Sequence, residues 1–109
     1  MSFDMNKMLK EAQRMQEELA KAQQEAATEV VEASAGGGMV TVKANGAGEV
    51  VSITIDARAI DPDDPELLAD LVLAAVNEAL RSARGLMESK MSGLMPTDLG
   101  GLGGLLPGP

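Results

Sequence analysis

The chain has no cysteine, histidine, tryptophan or tyrosine, and Phe3 is its one aromatic residue. Without cysteine there are no disulfides and no thiolate metal sites. Without histidine, cysteine or tyrosine the commonest acid–base and nucleophilic groups are missing. The remaining serines, lysines and carboxylates fall in no catalytic arrangement, so the sequence speaks against an enzyme, and neither a cofactor nor a small-molecule ligand is expected. Long apolar runs are lacking as well. Leu71 to Val76 spans six residues, where a bilayer crossing needs about 20, and the opening MSFDMNK has no apolar middle of the kind a secretory signal carries. These absences predict a soluble cytoplasmic protein with no membrane partner. The shortage of rings also limits the core, since each aromatic side chain can bury about 150–250 Å². A single domain of 109 residues built from Ala, Val, Leu, Ile and eight Met is expected to complete its core by self-association.

What is present is strongly periodic. Met5, Met8, Ala12, Met15, Leu19, Ala22 and Ala26 alternate spacings of three and four, an apolar heptad seam that predicts a helix from about residue 4 to 27. Asp4 suits its N-cap, and Phe3 is placed to staple onto Met8. Three strands follow, with Val31/Ala33, Val40/Val42 and Val51/Ile53/Ile55 on one face and Glu32, Thr41/Lys43 and Ser52/Thr54 on the other. Gly36-Gly37-Gly38 and Asn45-Gly46 supply the two turns. Asp64, Pro65 and Glu66 then open a second helix, as N-cap, first helical position and first-turn acid. Its apolar stripe runs from Leu67 to Met91. The reading is an α+β fold: an α-β-β-β-α protomer in which an antiparallel three-stranded meander is flanked by two long helices. Residues 1–94 form one domain. Residues 95–109, with five glycines and three prolines, cannot continue a helix and read as a disordered tail.

Other features have plain structural explanations. The acidic run Asp61, Asp63, Asp64, Glu66 lacks the glycine and terminal glutamate spacing of a calcium loop and contains two prolines, so helix capping accounts for it. Gly46-Ala47-Gly48 begins like a dinucleotide fingerprint, but Val51 stands where the third glycine belongs and a strand follows. The methionines at helical spacing read as core filler.

Charge is the informative quantity. The formal net charge is −8, which argues against a nucleic-acid partner unless the signs are segregated. Lys7, Arg14 and Lys21 form one stripe on the first helix, with Glu11, Glu18 and Glu25 parallel to it, each four residues after a cation. If the two helices pack antiparallel, Met5, Met8 and Ala12 meet Met91, Met87 and Ala83 in a projecting arm. Residues 5–16 and 80–94 then gather Lys7, Lys10, Arg14, Arg81, Arg84 and Lys90 against Glu11 and Glu88. Six cations against two acids give this arm +4 and leave −12 elsewhere. Beyond a Debye length of about 8 Å charges are largely screened, so an acidic body need not cancel a basic arm. No base-reading motif is present, which points to phosphate contacts of little sequence preference.

Four segments in order, MNKMLKEAQRMQEELAKAQ, GGGMVTVKANGAGEVVSITID, DPDDPELLADLVLAAVNEAL and the Gly/Leu tail, resemble the YbaB/EbfC family of bacterial nucleoid-associated proteins. The resemblance runs from about residue 5 to the end. It implies a tweezer-shaped homodimer of α-β-β-β-α protomers that binds double-stranded DNA through helical arms, without enzymatic activity, and serves DNA compaction, protection or gene regulation in the nucleoid. By position, Lys7, Lys10, Arg14, Arg81, Arg84 and Lys90 are the candidate DNA contacts. The alternative is a protein-interaction adaptor dimer without direct DNA binding, which suits the acidic surface.

Overall fold

A computed structural model describes residues 4–94. The proposed tail and the Phe3 staple lie outside them. Asp4 Oδ1 accepts a hydrogen bond from the Lys7 backbone N–H at 3.2 Å, capping helix α1, Met5–Thr28. Asp64 Oδ1 likewise accepts from the Leu67 N–H at 3.3 Å, with Pro65 opening helix α2, Pro65–Ser92. Between them run β1 (Val30–Ala35), β2 (Val40–Asn45) and β3 (Val50–Ile55), paired antiparallel in the order β1-β2-β3. The α-β-β-β-α order read from the sequence is the order of the structure.

The apolar face of the sheet is built in layers. Ala35 pairs with Val40 and Val40 with Ile55; Ala33 pairs with Val42 and Val42 with Ile53. Helix α2 lies over β1 and β2. Its Ala75, Ala79 and Ala83 are completely buried, as are Val40, Val42 and Ala44 beneath them. One alanine per helical turn lets the helix backbone approach the sheet closely, so a core without rings still closes over two strands.

The third strand departs from simple alternation. A register shift between Lys43 and Ala44 pairs Ser52 with Lys43 but Val50 with Ala44. Val51 is therefore the extra residue of a bulge, and Val50 takes the layer position that strict alternation gives to Val51. The β2–β3 turn also differs from the expected Asn-Gly hairpin. Asn45 Oδ1 accepts from the backbone N–H groups of both Ala47 and Glu49, at 3.1 Å each, and the positive φ falls on Gly48, at 85°. Gly46 is glycine for another reason. Its N–H donates to the Ala26 carbonyl at 3.0 Å, and a Cβ built there would stand 2.1 Å from that oxygen. The contact fixes the end of α1 to the corner of the sheet. Gly46→Ala is expected to destabilise the fold by about 1–3 kcal/mol, the usual cost of overpacking, read as a lower denaturation midpoint in urea.

Following β3, Asp56 caps a 3-10 turn, Ala57–Ala59, and chelates Arg58 through both carboxylate oxygens. The side-chain hydrogen bond from Arg58 holds the Asp56 carboxyl below its ordinary value. In the acidic run, Asp61 Oδ1 accepts from the Asp63 N–H and Asp64 caps α2, so local hydrogen bonding accounts for both residues.

The molecule is elongated, 77 × 31 × 16 Å, with a radius of gyration of 20.8 Å, where a compact chain of about 100 residues has about 13 Å. Two apolar surfaces are left open. One is β3, exposed along its whole length, with Val51 at 51% and Ile53 at 46%. The other is the first half of α1, where Met5, Met8 and Leu9 are each more than half exposed.

Candidate nucleic-acid interface

Helix α1 divides into two halves with different surroundings. In its second half Ala22 and Ala26 are buried, and Leu19 shares a groove with Met87 and Met91 of α2. Leu94, past the end of α2, lies against Ala22, Lys21 and Glu25. The first half, to about Glu18, projects beyond the body with every residue exposed. At 1.5 Å per residue Lys7 stands about 28 Å along the helix axis from Ala26.

This corrects the arm expected from the sequence. Met91 and Met87 lie beside Leu19, two heptads beyond the Met5 end of the seam, so α2 does not accompany α1 outward. The cause is the corner at Gly46: with Ala26 held there, the small residues of the seam meet α2, and the larger methionines are left projecting. The six candidate cations consequently form two groups. Lys7, Lys10 and Arg14 sit on the projecting half of α1. Arg81, Arg84 and Lys90 sit on α2, against the body, with Arg84 beside Gly48 of the β2–β3 turn. Over the projecting stretch 4–18, Lys7, Lys10 and Arg14 stand with Asp4, Glu11, Glu17 and Glu18, a formal −1; the three cations share the face away from the apolar seam, while Asp4, Glu11 and Glu18 flank the seam.

Their partners differ as well. Arg14 approaches Glu18 at 3.9 Å, Arg81 binds Glu78 at 2.7 Å, and Lys90 reaches Glu29 at 3.5 Å. Among the described residues no carboxylate pairs with Lys7, Lys10 or Arg84. The three pairs are solvent-exposed, and such pairs contribute about 0–1 kcal/mol, so exchanging a carboxylate for a phosphate costs those cations little. Lys90 has a second role, because a cation in the last turn of a helix complements the negative end of its dipole. Lys21 continues the stripe of Lys7 and Arg14 and is also exposed, but it is not among the six candidates that the sequence offers. The seven-residue spacing was the signal that could have included it.

Among the described residues no three His, Cys, Asp or Glu side chains come together as a metal site, and no described helix is long and apolar enough to cross a membrane. The chain belongs to the YbaB/EbfC DNA-binding family, which it matches over residues 1–99; this is a family of nucleoid-associated DNA-binding proteins and not of enzymes. A nucleoid-associated protein of Thermoanaerobacter pseudethanolicus is 54% identical over 90 residues, covering 83% of this chain and 81% of the relative. One from Saccharopolyspora erythraea is 50% identical over 109 aligned residues, covering 96% and 93%. An uncharacterized Helicobacter pylori protein of known crystal structure superposes with a TM-score of 0.73 at 21% identity, over 87% of this chain and 100% of that one. It shares the fold.

Proposed function

We propose that the protein is a nucleoid-associated homodimer that binds double-stranded DNA without strong sequence preference, through phosphate contacts made by Lys7, Lys10 and Arg14 on the projecting half of α1 and by Arg81, Arg84 and Lys90 on α2. The observation that carries this reading is the projection of α1. It carries Lys7, Lys10 and Arg14 on one face of a helix that stands away from the acidic body, far enough for screening to separate them from it at physiological salt, where the Debye length is about 8 Å. Organisation of the nucleoid, protection of DNA or adjustment of gene expression would follow from coverage of the duplex, in the cytoplasmic compartment where the nucleoid lies.

Dimerisation is supported by β3. The strand has one free edge and presents Val50, Val51, Ile53 and Ile55 to solvent. Leu80 faces the β2–β3 turn, and Leu73, two turns before it on the same side of α2, is 60% exposed. Strand edge and helix flank together make an apolar surface that a second protomer would cover. A dimer carries two cationic arms, and engaging both on one duplex raises the effective concentration of each.

The test is a titration of two unrelated duplexes of equal length over a range of salt. Affinities are expected to agree within about threefold and to fall linearly on a log–log salt plot, as counterion release requires. A strong preference for one duplex, or a flat salt response, would count against phosphate-dominated binding. No binding even at low salt would favour the adaptor reading.

A further inference from the structure

The projecting half of α1 carries more than charge. Met5, Met8, Ala12 and Met15 continue the heptad seam, with no element among the described residues against them, and Met5 is 64% and Met8 54% exposed. The cations Lys7, Lys10 and Arg14 lie on the other side of the helix, so a contact that covers the seam leaves them free.

What could cover the seam is constrained by the residues flanking it. On one flank stand Asp4, Glu11 and Glu18, all acidic; on the other stand Leu9, Gln16 and Gln23, all uncharged. In an antiparallel pair of identical helices like flanks meet, setting Glu11 against Glu11 and Asp4 against Glu18 along one side. In a parallel pair unlike flanks meet, and each acid faces Leu or Gln. Like charges side by side are destabilising, so the pattern disfavours the antiparallel arrangement and permits the parallel one. Leu9 widens the apolar stripe on the side that a parallel partner would occupy.

We propose that the projecting half of α1 is a homotypic docking surface, pairing in parallel with the same segment of a protomer from another dimer, so that two dimers joined at their arms present cations on opposite sides and bridge two DNA duplexes. The bridging rests on the DNA-binding reading above; the pairing does not. The surface is distinct from β3, so one protomer can use both at once. A seam of two heptads containing alanine and methionine makes a weak contact, which strengthens where dimers bound along DNA are held at high local concentration.

The absence of native cysteine makes the geometry directly readable. Under oxidising conditions Met8→Cys is expected to cross-link to itself, because parallel pairing sets position 8 against position 8. A mixture of Met5→Cys and Met15→Cys is expected to give no mixed disulfide. Wild type is expected to sediment as two chains shifting towards four with concentration. Met8→Gln with Met15→Gln keeps charge and helix propensity; it is expected to remain at two chains and bind a single duplex within about twofold of wild type, while capture of a second, differently labelled duplex falls about tenfold. Mixed Met5→Cys/Met15→Cys cross-links without Met8→Cys self-cross-links would overturn the parallel pairing, and wild type staying at two chains at every concentration would overturn pairing between dimers, whether or not Met8→Cys cross-links. Undiminished second-duplex capture by the glutamine variant would overturn the bridging. If wild type binds no duplex, the bridging fails, and the cross-link decides the pairing alone.

Discussion

Replacing Lys7, Lys10, Arg81 and Arg84 with glutamate is expected to abolish duplex binding in a mobility-shift titration, with the dimer intact by light scattering. Each reversal removes one phosphate contact and its released counterion and adds a repulsion, so affinity should fall by on the order of 100-fold or more at physiological salt. The fold should tolerate the changes. All four side chains are exposed, and only Arg81 loses a partner, Glu78, in a surface pair that contributes about 0–1 kcal/mol. The two halves of the set are separable. Lys7→Glu with Lys10→Glu acts only at the projecting helix, whereas Arg81→Glu with Arg84→Glu acts only at the body. The first pair should be the more damaging, because those cations stand clear of the acidic surface. Unchanged affinity in the fourfold variant would remove these residues from the interface.

The second large effect is expected on β3. Ile53→Glu with Ile55→Glu should convert a dimer into a folded monomer, seen as halved mass in solution with the far-ultraviolet spectrum retained. Both residues are already exposed in the protomer, at 46% and 38%, so charging them costs the isolated chain little. In a dimer they would be buried without partners, and an unpaired buried charge is strongly unfavourable. A double variant that stays dimeric would move the interface away from β3. The monomer should also bind DNA more weakly, since a single arm lacks the gain from linkage.

Much of the fold was legible because it is locally encoded. Asp4 and Asp64 cap their helices where acid-then-apolar patterns place them. The strand pattern put Ala33, Val40, Val42, Ile53 and Ile55 on one face, where the sheet places them; the layers, with Ala35 beside Val40 and Val40 beside Ile55, depend on a register that alternation alone does not set. Val51 escaped because a bulge adds a residue without leaving a mark in strict alternation. Gly46 reads as a hairpin glycine, and its true constraint, the Ala26 carbonyl, lies 20 residues away in sequence. The packing of α1 on α2 was the least legible. A heptad seam fits its partner equally well after a slip of seven or fourteen residues, so periodicity cannot tell Met5 from Leu19 as the neighbour of Met91. The corner at Gly46 chooses. For the same reason the cation types and positions were readable from the sequence, but their division into a distal and a body-side group was not. The exposure of β3 was equally hidden: an apolar strand face looks the same whether its own helix or a second protomer covers it.

The central claim is that the cations of the projecting helix meet phosphates. The salt dependence of duplex binding, compared between wild type and Lys7→Ala with Lys10→Ala, tests it most directly. Each lost phosphate contact lowers the log–log slope by about 0.9, so a dimer engaging both arms should lose about 3.6 from the slope. An equal slope in the two proteins would show that the projecting helix does not touch the backbone, and would contradict the account.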